Sequence, residues 1–152
     1  MFRGLQTGRV DDKHRLKFSA QVRKKLEESY QDASVFITSL DGREVKVFPL
    51  AEWERIEKRL SEKSTEGAEG DGAVKNKILF QANRFGAEES LDNQGRILVP
   101  APLREGAGMR GEVKILWQAN HMVVMGAERF SEKSVEQALG AAELTYTQNL
   151  GL

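Results

Sequence analysis

Asp11-Asp12-Lys13-His14-Arg15-Leu16-Lys17-Phe18-Ser19-Ala20-Gln21-Val22-Arg23 returns 81 residues later as Asp92-Asn93-Gln94-Gly95-Arg96-Ile97-Leu98-Val99-Pro100-Ala101-Pro102-Leu103-Arg104. The identities are Asp11/Asp92, Arg15/Arg96, Ala20/Ala101 and Arg23/Arg104. The apolar matches are Leu16/Ile97, Phe18/Val99 and Val22/Leu103. Thirteen residues with four identities is weak evidence alone, so the flanks decide whether the repeat is real.

After the first copy, Val22, Leu26 and Tyr30 recur at helical spacing and predict a short amphipathic helix. Val35-Phe36-Ile37 and Val45-Lys46-Val47-Phe48 then flank Asp41-Gly42, a strand pair around a turn. Pro49 leads into a helix with Leu50, Trp53, Ile56 and Leu60 on one face. The second copy has the same order. Pro102 opens a short helix that Gly106 and Gly108 end, Val113–Trp117 and Met122–Met125 form a hairpin, and a helix starts near Glu128. Phe48–Trp53 matches Met125–Phe130 at a separation of 77, which predicts a first hairpin loop four residues longer than the second. The predicted layout is a first repeat over 1–60, a polar loop and linking helix over 61–83, a second repeat over 84–140 and a tail over 141–152. The loop is Ser61–Gly72, Val74, Ile78 and Ala82 space the linking helix, and the tail from Thr145 has no pattern. A copy of about 50 residues is too small to bury a core alone, so the halves are expected to intertwine.

The chain has 152 residues, with 23 Lys+Arg balanced by 23 Asp+Glu. A zero sum does not describe distribution. Residues 1–25 hold eight basic side chains against Asp11 and Asp12, while the second loop region, 84–104, is balanced at three against three. The compensating acids lie in helices, Glu52, Glu54 and Glu57 among them. Cysteine is absent, which excludes a disulfide scaffold, thiolate metal sites and a cysteine nucleophile. No apolar run reaches the roughly 20 residues of a membrane helix, and no signal peptide is visible, so a cytoplasmic protein without membrane contact is expected.

The Asp-x-x-x-Arg loops carry the most chemistry. Gly95 supplies a positive φ without steric cost. Asp11 and Asp92 can accept backbone N–H groups in the turn or hold the Arg stem. Such an arginine presents a fork suited to guanine edges or phosphate oxygens. Other motifs point nowhere. Gly106-Ala107-Gly108-Met109-Arg110-Gly111 matches a dinucleotide fingerprint literally, but a helix precedes it and a strand follows, the reverse of what binding needs. His14 and His121 sit apart near turns, with no metal-ligand spacing. Trp53 and Trp117 fit core positions. No catalytic set converges, so an enzyme is not expected, nor is a cofactor or a metal.

The opening Met1-Phe2-Arg3-Gly4, the loop Asp11–Arg15, Phe48-Pro49-Leu50-Ala51-Glu52-Trp53 and Leu91–Pro100 with Leu103-Arg104-Glu105 together resemble the MraZ family, to about residue 140. That resemblance implies an α+β fold with a mainly β core: a tandem swapped-hairpin AbrB/SpoVT-like repeat in a pseudo-two-fold, barrel-like unit. It implies a ring-shaped homo-oligomer on double-stranded DNA, repressing the division and cell-wall gene cluster at short promoter repeats, in association with the nucleoid. Carried over by position, Arg15 and Arg96 read DNA with Lys13 and Arg3 in support, and Asp11, Asp92, Gly95 and His14 shape the loops. His14 stands where the family has Gly, and Ser19 where it has Pro. The alternative is an AbrB-fold protein-interaction module, antitoxin-like or a scaffold ring, without specific DNA readout.

Overall fold

The computed structural model describes residues 2–62 and 71–152; most of the predicted polar loop, 63–70, lies outside them. The first half runs β1 (Leu5–Val10), β2 (Arg15–Lys17), α1 (Ala20–Tyr30), β3 (Ser34–Thr38), β4 (Val45–Pro49) and α2 (Leu50–Ser61). The linking helix α3 spans Asp71–Phe85. The second half runs β5 (Ala87–Ser90), β6 (Arg96–Leu98), a 3-10 turn (Ala101–Leu103), β7 (Gly111–Gln118), β8 (His121–Gly126) and α4 (Ala127–Glu136).

Pairing crosses between the copies. The eight strands form one antiparallel sheet in the order β5-β3-β4-β8-β7-β1-β2-β6. Each hairpin is capped by the first strand of the other copy: β1 on β7, β5 on β3. The two copies meet strand to like strand at β2–β6 and β4–β8. Leu16 faces Ile97 and Lys46 faces Val123, each residue opposite its own repeat counterpart. A pseudo-two-fold axis therefore passes through both pairs. The end strands β5 and β6 are joined by the turn in which Asp92 N–H donates to the Arg96 carbonyl, so the sheet curls into a nearly closed barrel. This is the swapped-hairpin α+β unit that the resemblance implies.

The core follows from the strand period. Val10, Leu16, Val35, Ile37, Val45, Val47, Ile97, Val99, Val113, Ile115, Met122 and Val124 point inward and are buried with Phe18, Val22 and Leu26. One cluster thus draws on both copies, as expected of halves too small to fold alone. A second cluster, Phe36, Phe48, Trp53 and Ala82, fixes α2 and α3 to the outside of the β3–β4 hairpin. Phe36 stacks on Trp53 with ring centroids 4.7 Å apart. Trp117 is likewise buried, stacked 4.1 Å from Phe2.

Three local expectations change. The extra residues of the first copy lie mainly in its helix. Ile37 stands opposite Ala87 as Ile115 stands opposite Gln6, and Thr38 opposite Lys46 as Leu116 opposite Val123. By that register the first hairpin is one residue longer, and the other three belong to the segment where α1 replaces a 3-10 turn. Pro102 accordingly sits in a single turn rather than a full helix. The tail is helical, as α5 (Ala141–Thr147) and a 3-10 turn over Gln148–Leu150. All its side chains but the half-buried Thr147 are exposed, so no buried face imposes the period that sequence reading looks for.

Candidate nucleic-acid interface

Each Asp-x-x-x-Arg loop is closed by the same five hydrogen bonds. In the first, Asp11 Oδ1 accepts from the backbone N–H of Lys13 and of Arg15, both at 2.9 Å, and Oδ2 accepts from Arg15 Nε at 2.7 Å. Asp11 N–H donates to the Arg15 carbonyl and His14 N–H to the Asp11 carbonyl, both at 3.0 Å. In the second, Asp92 Oδ1 accepts from Gln94 N–H at 2.8 Å and Arg96 N–H at 2.9 Å, and Oδ2 from Arg96 Nε at 2.8 Å. Asp92 N–H reaches the Arg96 carbonyl at 3.0 Å and Gly95 N–H the Asp92 carbonyl at 2.9 Å. A short carboxylate with two acceptor oxygens takes three of the five, and the backbone makes the other two, because the chain turns back within four residues.

The turn needs a left-handed residue just before the arginine. Gly95 has φ 74° and His14 has φ 62°, so histidine takes the glycine conformation here. Their carbonyls then cross the axis: Phe18 N–H donates to Gly95 at 2.9 Å and Val99 N–H to His14 at 2.8 Å. These reciprocal bonds extend the β2–β6 pairing and tie each loop to the strand end of the other copy, so the loops flank the two ends of the pair.

Electrostatics follow from the same contacts. The Arg15 backbone N–H, with its guanidinium and the Lys13 N–H, holds the Asp11 carboxyl below the usual carboxylate range; Arg96 and Gln94 do the same for Asp92. Each carboxylate takes only Nε. Among the described residues, Nη1 and Nη2 of Arg15 and Arg96 have no protein partner, and the two side chains are 33% and 23% exposed. Each arginine is thus clamped by its stem with its donating fork free, the arrangement that suits bidentate recognition.

The predicted supporting residues divide. Lys13 is exposed in the first loop, where Gln94 is its counterpart. His14 is exposed and holds the left-handed position of the turn. Arg3 is exposed before the far end of β1, about 20 Å along the strand from the loop, so the fold does not bring it to Arg15 within one chain. Arg23 is a helix residue that sequence reading matched but gave no role. From α1 its Nη1 donates to the Asp92 carbonyl at 3.2 Å and Asn93 Oδ1 at 3.1 Å, stapling the first helix to the second loop. Its identity with Arg104 was the available signal; Arg104 Nε donates to the Val99 carbonyl at 3.0 Å. Among the described residues no group of His, Cys, Asp and Glu is placed to hold a metal, and no helix is long and apolar enough to cross a membrane.

No protein-family profile matches the chain. Similar proteins do. The transcriptional regulator MraZ of Koribacter versatilis is 34% identical over 143 residues, covering 94% of this chain and 93% of that protein. Its counterpart in Acidobacterium capsulatum is 36% identical over 132 residues, covering 87% and 86%. That of Heliobacterium modesticaldum is 33% identical over 138 residues, covering 91% and 90%. The chain belongs to the MraZ family. For an MraZ-family chain the departure at His14 is instructive, because the first loop still keeps every hydrogen bond of the second.

Proposed function

We propose that this protein is a sequence-specific DNA-binding transcriptional regulator that acts on short repeated promoter sites as a ring-shaped homo-oligomer. The name shared by its relatives, transcriptional regulator, supports the class of function. The observation that carries DNA readout is the pair of identically hydrogen-bonded loops, joined across the axis by β2–β6, each with an arginine fork left free. Arg15 and Arg96 contact base edges or phosphates, and Lys13 adds charge beside the first loop. A pseudo-two-fold pair of readers suits two contacts on one duplex. On this reading the protein is a repressor of the division and cell-wall gene cluster, located at the nucleoid in the cytoplasm.

Selection of bound duplexes from a randomised pool, followed by titration of the enriched sequence, tests the assignment. Arg96→Ala and Arg15→Ala each lower affinity for that sequence at least about tenfold, the worth of one good base contact, with oligomer mass unchanged. Wild-type affinity in Arg96→Ala overturns the site. One observation favours a second reading, a protein-interaction module: Val135, Leu139, Leu144, Tyr146, Leu150 and Leu152 are exposed along α4 and the tail. An oligomer that enriches no sequence supports that reading instead.

A further inference from the structure

We propose that Arg9, Lys17 and Arg96 form a phosphate track across β1, β2 and β6, which makes the grip on the DNA backbone one-sided about the pseudo-two-fold axis. This rests on the DNA reading above and adds residues that reading does not use. Arg9 pairs with Lys17, and Lys17 pairs with Arg96, in consecutive ladders. Neighbouring strands are about 4.8 Å apart, so the backbones of the three residues lie within about 10 Å and their side chains leave on the outer face. Arg9 and Lys17 are exposed, while Gly8, Val10, Leu16, Phe18 and Ile97 turn inward from the same strands.

Like charges directly opposite each other destabilise a sheet, so the row calls for compensation. The protein supplies little of it. Glu112 stands opposite Arg9, but its carboxylate lies 3.4 Å from Lys114 Nζ. Asp92 takes only Nε of Arg96. Among the described residues Lys17 has no acidic partner. The counterpart row across the axis is different: Ser90 and Leu98 replace Arg9 and Lys17 by repeat position, leaving Arg15 as its only cation. The uneven charge of the two repeats, which is only a tally in the sequence, becomes one basic row against one nearly neutral row. A row of two exposed cations and one half-buried one matches a line of backbone phosphates, which fix position without reading sequence.

The test uses the full-length protein and two probes, a duplex enriched from a randomised pool and a duplex of random sequence of equal length. Affinity is measured by fluorescence anisotropy across a salt series. Lys17→Gln lowers the slope of log affinity against log salt by about 0.9 per engaged subunit on both probes, and leaves the affinity ratio between them unchanged. Leu98→Lys, which adds a second cation to the counterpart row, raises the slope by a similar amount. Unchanged slopes in Lys17→Gln overturn the track. If Lys17→Gln also lowers the melting temperature, Leu98→Lys decides, and an unchanged slope there overturns it. Failure to enrich any sequence overturns the proposed regulator instead, while slopes on the random duplex still judge the track.

Discussion

At the scale of single residues, the loops depend on two carboxylates and one backbone conformation. A carboxylate whose folded pKa lies below its unfolded value of about 3.9 stabilises the fold above that value, and the contribution is lost as pH falls through the folded pKa. Both Asp11 and Asp92 are shifted down, chiefly by the backbone N–H of the following arginine. Asp11→Asn with Asp92→Asn is therefore less stable than wild type near neutrality, and its stability falls less on acidification below about pH 4. Urea midpoints as a function of pH check this, and parallel profiles contradict it. The left-handed position gives a second test. Non-glycine residues pay roughly 1–2 kcal/mol in this conformation. His14→Gly should stabilise by up to about 1 kcal/mol, since a more flexible unfolded chain offsets part of the relief. Gly95→Ala should destabilise by about 1–2 kcal/mol. A Cβ at Gly95 also meets the Phe18 carbonyl oxygen at 3.1 Å. Chemical denaturation of the two variants measures both signs. The loop chemistry was legible because Asp, Arg and Gly fall within five consecutive residues. The Arg23 staple was not, because its partners lie 69 and 70 residues away.

At the scale of elements, α1, α2 and the hairpins were readable because each has a buried face with its own period, and α4 was readable although none of its residues is fully buried. Val22 and Leu26 bury under α1, and Trp53 under α2. What sequence could not place was the length difference between copies, since a matched pair of motifs gives only the total offset between them. Strand register divides it, leaving one residue in the hairpin and three in α1. The junction of α3 and β5 was also silent in the sequence. Gly86 lies there, and a Cβ would stand 2.4 Å from both the Ala82 carbonyl oxygen and the Phe36 ring. Both neighbours belong to the α2–α3 cluster, so neither gives way cheaply. Gly86→Ala should cost about 1–3 kcal/mol, the usual range for overpacking. The loss should appear as a lower melting temperature with DNA affinity per folded molecule unchanged, because the cluster lies away from the reading loops. A variant with wild-type melting would show that α3 is not seated by this contact.

At the scale of the whole molecule, barrel closure was legible only through the family resemblance and not in the residues themselves. Every strand of one copy finds a partner in the other or in its own hairpin, and such long-range pairing leaves no local pattern. The repeat made intertwining expected, and the axis through Leu16–Ile97 and Lys46–Val123 gives it a geometry. That geometry bears on affinity. With 23 basic and 23 acidic residues the chain has no general field to hold a polyanion. Two arginine loops and one short basic row per chain make few phosphate contacts, so a single chain on a single site should bind weakly at physiological salt. Joining subunits converts later contacts into intramolecular ones, and avidity then exceeds single-site affinity by about 10²–10⁴ without any new contact. Duplexes with one, two or three copies of the enriched site should therefore differ steeply in affinity. Inserting about half a helical turn between copies should abolish most of the gain, because the proposed ring, being rigid, cannot then engage both sites. Competition titrations on this spacing series check the claim. Equal affinity for one copy and three would mean that each subunit acts alone, and neutrality would then demand far more contact per subunit than two loops and one row supply.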